Sequence, residues 1–350
     1  MRHDLHPGWT VLIGFAAVWL STLSPLCPQT HQDALQQASQ WIARGRFAQA
    51  EALLRPLLHS GGSPKAHYLM GFTLVQLYKL DEAESHLREA VRQDPGQPEW
   101  LHALAKALVE QGRNRAAFEV LGQAIKLRPQ AKYHFARAMC ALNQGDSRTA
   151  ESELRRCLGL DPGRNEAFFK LGTILIDRGD YPASIPLLQN CLKGNPGHLE
   201  ARFSLGLAQS RRGGLQEAVE AFEEVLKEVP GHVGALYNLG RTLMRLNRPQ
   251  EGRKRLQEFR AMSQLEDQID FFRKAVRKNP SHVEGRLKLA QMLLQAGNAD
   301  AAFEQLMAAR RLAPRQAPIY RLMAEALRRL GRAEDAQQAE KFARSLEGQQ

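Results

Sequence analysis

A series of prolines at nearly constant spacing constrains this chain more than any other feature. Five of them follow one another along the chain at intervals of 34, 33, 34 and 34, and a further pair repeats the interval of 34. These prolines are Pro95, Pro129, Pro162, Pro196, Pro230, Pro280 and Pro314. A fixed period of this length indicates a repeat protein, in which each unit packs against its neighbours and no single central core is needed.

Two further positions of the period hold only small residues. When each closing proline is counted as position 32 of its unit, position 8 holds Gly71, Ala105, Ala138, Gly172, Gly206, Gly240 and Ala290. Position 20 holds Ala83, Ala117, Ala150, Ser184, Ala218, Gly252 and Ala302. Because small side chains let two helix backbones approach closely, the period predicts two antiparallel helices per unit, joined by a short turn.

Short motifs that end at position 8 of the first helix support this organisation. The segments FFKLG, RFSLG and LYNLG each precede a second helix with a small central residue. With these motifs the chain resembles the tetratricopeptide repeat family over nearly everything after residue 30. The resemblance implies an all-α fold, a right-handed α-solenoid of stacked antiparallel helix pairs with about eight units. We expect a repeat array at residues 31–248, with a degenerate first unit, and further units with a terminal cap at residues 283–350.

The period breaks once, between Gly252 and Pro280, where the chain is longer than one interval by nearly half a repeat. Apolar residues recur there at intervals of three and four, which predicts a long helix, or two helices with a short break, across residues 249–282. Such a segment is a candidate hinge or docking element, and an insertion without function is the alternative.

The N-terminal segment, residues 1–29, has a different composition from the repeats. No charged residue occurs from Trp9 to Leu26, after a short head that carries Arg2 and Asp4. An uncharged run of this length could just cross a hydrocarbon layer of about 30 Å. The segment predicts a membrane-anchored or exported protein, with the repeats on the periplasmic or other extracytoplasmic side if it is bacterial. A cleaved signal peptide and an uncleaved anchor both remain open, and a buried first helix is the alternative.

The positive charge of the chain is concentrated in its C-terminal third. The formal net charge is +11. Residues 231–350 hold 22 Lys and Arg against 13 Asp and Glu, a surplus of 9, whereas residues 30–230 hold 25 against 23. This distribution favours a partner with acidic character.

The resemblance also implies a binding face, because in this family the first helix of each unit lines a concave groove. Position 5 of that helix is flat-sided in six units, with Tyr68, His102, Phe135, Phe169, Phe203 and Tyr237. Arg241 and Arg245 fall at positions 9 and 13, which also commonly meet the ligand. Aromatic rings offer a large apolar area at low entropic cost, which suits the capture of a peptide. The alternative is that these rings support packing between units.

A second, basic surface is predicted on the long segment and the last unit. Its candidate residues are Arg253, Lys254, Arg255, Arg273, Lys274, Arg277, Lys278, Arg328 and Arg329. An electrostatic contact surface and a solvated surface that only aids solubility are both compatible with this pattern.

No catalytic signature accompanies the repeats: the sequence has no GxSxG, HExxH or GxxxxGK[ST] motif. His198, His232 and His282 recur two residues after closing prolines, and we interpret them as loop residues, because equivalent positions in stacked repeats lie too far apart to share a metal ion. We therefore predict no enzyme, no cofactor, no metal and no nucleic-acid partner. The leading hypothesis is a scaffold or adaptor that binds partner polypeptides at a membrane or in an exported compartment. The alternative is a scaffold for the handling or secretion of an anionic polysaccharide.

Overall fold

The computed structural model describes residues 28–59 and 61–348, and all regular structure in these ranges is α-helical. The described chain divides into two compact units, with the division between Ala167 and Phe168. The N-terminal segment that predicts an anchor, residues 9–26, lies outside the described residues. Within residues 28–59 and 61–348, no helix has both the length and the apolar character needed to span a membrane.

In its described residues, 28–59 and 61–167, the first unit contains eight complete helices arranged as four consecutive pairs. They are α1 Pro28–Ala43, α2 Phe47–His59, α3 Pro64–Gln76, α4 Leu80–Gln93, α5 Pro98–Glu110, α6 Asn114–Leu127, α7 Ala131–Asn143 and α8 Ser147–Leu160. Each odd-numbered helix packs on the even-numbered helix that follows it, and each pair packs on the next through α2 and α3, α4 and α5, or α6 and α7.

The second unit continues the same pattern after α9, the helix in which the division falls. Its helices are α9 Asn165–Asp177, α10 Tyr181–Gly194, α11 Leu199–Arg212, α12 Leu215–Glu228, α13 Val233–Arg245, α14 Pro249–Lys278, α15 Val283–Gln295, α16 Ala299–Leu312, α17 Ala317–Arg329 and α18 Ala333–Glu347. The described residues therefore form nine pairs, one more than the sequence count of about eight, because α14 serves as the second helix of the pair that α13 begins.

Close contact between the two helices of a pair explains the small residues at positions 8 and 20. A Cβ atom on Gly206 would lie 2.7 Å from the Phe222 ring, and one on Gly240 would lie 2.8 Å from Leu256 Cγ. The start of α13 lies beside the end of the first half of α14, where Tyr237 contacts Phe259. The end of α13 lies beside the start of α14, where Met244 adjoins Gly252. The two helices are therefore antiparallel, and the predicted all-α fold of stacked helix pairs is confirmed.

The turn between the helices of a pair has a fixed backbone conformation. In each of the nine described pairs its central residue has a positive φ, and in seven of them this residue is glycine, which adopts the conformation without steric cost. Gly112 (76°) and Gly213 (103°) are two examples, and Tyr78 (57°) and Asn247 (58°) occupy the same place in other pairs. Gly, Asn and Tyr are therefore all found at this point of the turn.

The long helix α14 has two halves with different packing partners. Its first half packs on α13, through Gly252 and Leu256. Its second half packs on α15, where Ile269 and Val276 join the core that contains Leu289 and Leu293. A single continuous helix of 30 residues therefore spans the break in the repeat period.

Candidate functional site

The position 5 residues of the first unit are half-buried against the following pair. The ring of Tyr68 stacks on Trp100 at 5.6 Å with an interplanar angle of 17°. His102 lies 5.3 Å from Tyr133, measured between ring centroids. These contacts keep one face of each ring on a neighbouring helix pair, and burial holds the pKa of His102 below its usual value and raises the pKa of Tyr68.

Phe135, the third position 5 residue of the first unit, contacts a cation. The guanidinium carbon of Arg164 lies 4.4 Å from the centre of the Phe135 ring, within the range of a cation–π interaction. Arg164 stands just before α9, so the Phe135 ring also contacts the segment that follows its own pair.

In the second unit, two position 5 rings pack on histidines that precede the next first helix. Phe169 lies 4.6 Å from His198, and Phe203 lies 5.0 Å from His232. Both histidines cap a helix, since His198 Nδ1 accepts from the Ala201 amide at 3.3 Å and His232 Nδ1 accepts from the Ala235 amide at 3.0 Å. Each of these loop histidines thus accepts a hydrogen bond from an amide at a helix N-terminus and also packs against a position 5 ring.

Tyr237 is the most accessible of the six position 5 residues, with 37% of its surface exposed. Its ring contacts Phe259 of α14 at 5.1 Å, and its hydroxyl accepts a hydrogen bond from Arg241 at 3.0 Å. The Arg241 guanidinium also lies over the same ring at 5.5 Å. Tyr237 and Arg241 therefore form a joint aromatic and cationic surface on the exposed side of α13.

Within each unit, the position 5 rings contact residues outside the position 5 series. Each is fixed by its neighbours, so the packing alternative accounts for one face of each ring. The other side of each ring is partly accessible, because none of the six is fully buried. The packing interpretation therefore holds for one face of each ring, and the role of the other face in binding stays a prediction.

Arg245, predicted to meet a ligand, has a structural partner. Its Nη1 donates to the Ser210 carbonyl oxygen at 2.8 Å and lies 3.2 Å from Ser210 Oγ. The same position of a later pair holds Arg329, which donates to the Leu294 carbonyl. In both cases an arginine satisfies a carbonyl in the last turn of the preceding first helix.

The predicted basic surface divides into paired and unpaired cations. Four of its arginines are in ion pairs: Arg255 with Glu258, Arg273 with Asp270, Arg328 with Glu340 and Arg329 with Glu325. The others are exposed and form no ion pair within residues 28–59 and 61–348, and they are Arg253, Lys254, Lys274, Arg277 and Lys278. All five lie on α14, so its unneutralised charge is larger than that of the last pair.

Several polar contacts inside the pairs had no signal in the repeat pattern. In three pairs the side chain at position 4 donates a hydrogen bond to the backbone carbonyl of the preceding proline. These bonds join Arg202 to Pro196, Arg286 to Pro280 and Tyr320 to Pro314. In two other pairs position 4 contacts position 23 of the second helix, where His67 Nδ1 lies 3.0 Å from His86 Nδ1 and His134 Nδ1 lies 2.7 Å from Glu153 Oε2. Comparing these two positions along the sequence would have identified the pairs in which both residues are polar.

The side chains of the described residues show no arrangement suited to a metal ion. Nowhere in residues 28–59 and 61–348 do three His, Cys, Asp or Glu side chains come together as possible ligands. The chemistry that these faces offer is apolar contact, cation–π contact and ion pairing.

A protein built from stacked helix pairs, with aromatic and basic residues on successive first helices, belongs to the class of helical repeat proteins. Models of the tetratricopeptide repeat match residues 35–98 and 169–233, residues 74–140 and 209–266, and residues 131–164. These matches together extend over more than half of the chain, so the chain belongs to the tetratricopeptide repeat family. Members of this family generally mediate interactions between proteins, and all three matching models describe repeats and no enzyme.

Individual proteins show more limited similarity. Cellulose synthase operon protein C of Pseudomonas fluorescens (strain SBW25) is 27% identical over 174 residues, which cover 47% of this chain and only 13% of that relative. Among solved structures, pilF of Pseudomonas aeruginosa has a TM-score of 0.53 at 16% identity, covering 59% of this chain and 95% of that chain. YrrB, a TPR protein with an unusual peptide-binding site, has a TM-score of 0.48 at 21% identity, covering 50% of this chain and 91% of that chain.

Proposed function

We propose that this protein is a non-catalytic scaffold that binds a partner polypeptide on the exposed side of its first helices. The observation that carries the proposal is the joint surface of Tyr237 and Arg241 on α13, where an accessible ring and a cation stand side by side. Phe169 and Phe203 supply further partly exposed rings on earlier first helices of the same unit. Rings that are already fixed by packing lose little conformational entropy on binding, which favours peptide capture.

Site-specific crosslinking tests this binding face. A photoreactive phenylalanine analogue replaces Tyr237 in the native host, and the matched control carries it at Tyr78, whose side chain is 76% exposed in a turn of the first unit. We expect a discrete polypeptide to be crosslinked from position 237 and not from position 78. The same products from both positions would show non-specific collision and would contradict the proposal.

Alanine substitution then measures what the rings contribute. For the partner identified by crosslinking, Phe169→Ala and Phe203→Ala should each weaken binding by about 1 to 3 kcal/mol if the rings are hot spots. Because both rings also pack on a histidine, circular dichroism must show that each variant keeps its helical content. Unchanged affinity in a folded double variant would leave the rings with a packing role alone.

We also propose that residues 9–26 direct the scaffold to a membrane or to an exported compartment. The support is the uncharged run from Trp9 to Leu26, which is long enough to reach across a bilayer core. Cell fractionation of the full chain, compared with a variant that lacks residues 9–26, tests it. Both proteins in the soluble cytoplasmic fraction would refute this part of the proposal and leave the binding face untouched.

A polysaccharide-handling scaffold is the second candidate function. It is favoured by the similarity to cellulose synthase operon protein C and by the five unpaired cations on α14. Retention of the protein on polygalacturonate, and not on neutral cellulose, would support it, provided that substitution of Lys254 and Lys278 by glutamine weakens retention. Equal behaviour on both polymers would exclude an anionic ligand of this kind.

A further inference from the structure

The second half of α14 has the sequence of a second helix whose own first helix is missing. Counted back from Pro280, position 24 is Phe272, position 27 is Ala275 and position 28 is Val276, which are apolar or small as in the other pairs. With the length of an ordinary second helix such as α16, a helix that starts at Pro249 would end near Met262. The chain instead continues as one helix to Lys278, so no first helix precedes the part that Pro280 closes.

Burial shows the same difference in the packing. In α4, α6, α8, α10, α12 and α16, the residues at positions 20, 24 and 27 are 0% exposed, because the first helix of the pair covers them. In the second half of α14, Gln268 at position 20 is exposed, and Phe272 and Ala275 at positions 24 and 27 are half-buried. Phe271 at position 23 is 67% exposed, whereas the residue at this position is buried or half-buried in those six helices.

The side of α14 that faces the next pair is, by contrast, buried. Ile269 and Val276, at positions 21 and 28, are 6% and 8% exposed in the core shared with α15. The second half of α14 therefore packs forward on α15 as any second helix does. The face around Phe271 is made of Gln268, Phe271 and the accessible sides of Phe272 and Ala275, and it is the part that lacks a helix. Phe272 also packs against the core shared with α15, where Lys288 lies over its ring.

Charge indicates what could cover the face around Phe271. Lys274 and Lys278 lie three and seven residues after Phe271, on the same side of the helix, and both are exposed without an ion pair in the described chain. Asp267 lies four residues before Phe271, so this side is basic only towards its C-terminal end. A helix that packs antiparallel, as the first helices do, would place its N-terminal half beside the two lysines. Acidic residues there would also interact favourably with the positive end of the incoming helix.

The first helices of this chain fit that requirement poorly. Among α3, α5, α7, α9, α11, α13, α15 and α17, none carries more than one acidic residue in its first turn, and four carry none. A second copy of the chain would thus bring little negative charge to Lys274 and Lys278. The charge pattern favours a helix from a different protein.

We propose that the face around Phe271 binds an amphipathic helix of a partner protein, similar in length to the first helices of this chain, with an apolar stripe and with Asp or Glu in its N-terminal half. The bound helix takes the place of the absent first helix and runs antiparallel to the second half of α14. This site is separate from the surface around Tyr237 and does not depend on it.

Two synthetic peptides based on α9, Asn165–Asp177, provide the probe. Glutamate replaces Lys170 in the acidic peptide, and lysine replaces Glu166 in the basic peptide, so the two share one apolar stripe and differ in charge. Both carry a hydrocarbon staple, because isolated helices of this length are marginal in water. We expect the acidic peptide to bind the full chain more tightly than the basic peptide in fluorescence anisotropy, and to slow amide exchange across residues 263–278.

Variants of the full chain locate the binding. Phe271→Glu should weaken binding of the acidic peptide by about tenfold or more, as expected at the centre of a helix-binding face. Leu160→Glu is the matched control, because Leu160 is 51% exposed at the end of α8 and the change is the same. Replacing both Lys274 and Lys278 by glutamate should reverse the preference between the two peptides. The double variant Phe169→Ala, Phe203→Ala should bind the acidic peptide as the unchanged protein does.

Three results would overturn the proposal. The acidic peptide fails to bind, or Phe271→Glu and Leu160→Glu weaken it equally. Alternatively, sedimentation equilibrium shows a dimer of the full chain that Phe271→Glu abolishes, which would make a second copy the occupant. Loss of partner crosslinking at position 237 would bear on the proposed function alone and not on this face.

Discussion

Tyr78 occupies a turn position that is held by glycine in most pairs. Its φ is 57°, in the left-handed region, where a residue with a Cβ costs about 1 to 2 kcal/mol, and its side chain is 76% exposed. We predict that Tyr78→Gly raises the free energy of unfolding by about 0.5 to 1 kcal/mol, the strain being partly offset by the greater entropy of glycine in the unfolded chain. Urea denaturation followed by circular dichroism measures the change.

The matched control for Tyr78→Gly is Gly112→Ala, at the same position of the next pair, where φ is 76°. This substitution should lower the free energy of unfolding by about 1 kcal/mol. If Tyr78→Gly were destabilising, the exposed tyrosine ring would have to make a contribution that its 76% exposure does not indicate.

The position of each residue within the repeat could be predicted from the sequence, but the hydrogen-bond partner of its side chain could not. The small residues at positions 8 and 20 follow from the close approach of two helices, which the period alone reveals. The period places Arg245 at position 13, and the family resemblance implies that this position contacts a ligand, whereas in the structure this arginine donates to the carbonyl of Ser210 on the preceding first helix. A period identifies the slot of a long side chain, but its direction depends on which carbonyls the neighbouring helix leaves unsatisfied.

At the scale of helix pairs, the two imidazoles in the pair of α3 and α4 form an unusual contact. His67 Nδ1 and His86 Nδ1 lie 3.0 Å apart, so one nitrogen donates and the other accepts. Burial is the largest cause that lowers the pKa of each ring. Arg92 lowers the pKa of His67 further and Glu89 opposes it, while His67 lowers the pKa of His86.

This pair predicts a loss of stability in weak acid. A histidine whose pKa is lower in the folded chain binds fewer protons there than in the unfolded chain, so its contribution is complete above the ordinary value of 6.5 and is lost as pH falls below it. The pair of α5 and α6 has Leu101 and Val120 at the equivalent positions. We expect the double variant His67→Leu, His86→Val to reduce the fall in melting temperature between about pH 7 and pH 5.

The control for the histidine pair is His59→Leu, because His59 is exposed at the end of α2. His102, whose pKa is also lowered by burial, remains in both variants, so some pH dependence should persist. An unchanged pH profile in the double variant would mean that these two rings titrate alike in the folded and unfolded chains.

The long helix shows how far a pattern of apolar residues can be interpreted. Intervals of three and four predict a helix across this segment, but they cannot assign each apolar residue to a neighbour. In the structure Leu256 packs on α13 and Ile269 on α15, so one stripe serves two different pairs. The exposed face around Phe271 results from this change of partner, which depends on three-dimensional packing and has no counterpart in the spacing.

For the whole molecule, charge is distributed by region and then partly neutralised by pairing. Residues 231–350 hold a surplus of 9 positive charges. Ion pairs remove some of it, as Arg328 with Glu340 illustrates. The unpaired cations on α14, including Lys254 and Lys278, are exposed and form no ion pair in the described chain, so their field extends into solvent until salt screens it.

The location of these lysines on α14, and not only the net charge of the chain, should determine how fast an acidic partner associates. Replacing Lys254 and Lys278 by glutamine should slow the association of a polyglutamate chain more than replacing Lys65 and Lys126, two exposed lysines of the first unit, although both variants have the same net charge. Charges near the docking surface steer encounter, and the influence of a charge is screened beyond about 10 Å at an ionic strength of about 0.1 M. Stopped-flow fluorescence at about 50 and about 300 mM salt measures the rates, and the difference between the variants should shrink at the higher salt. Equal rates for both variants would show that the surplus acts through net charge alone and that α14 has no special part in attracting an acidic partner.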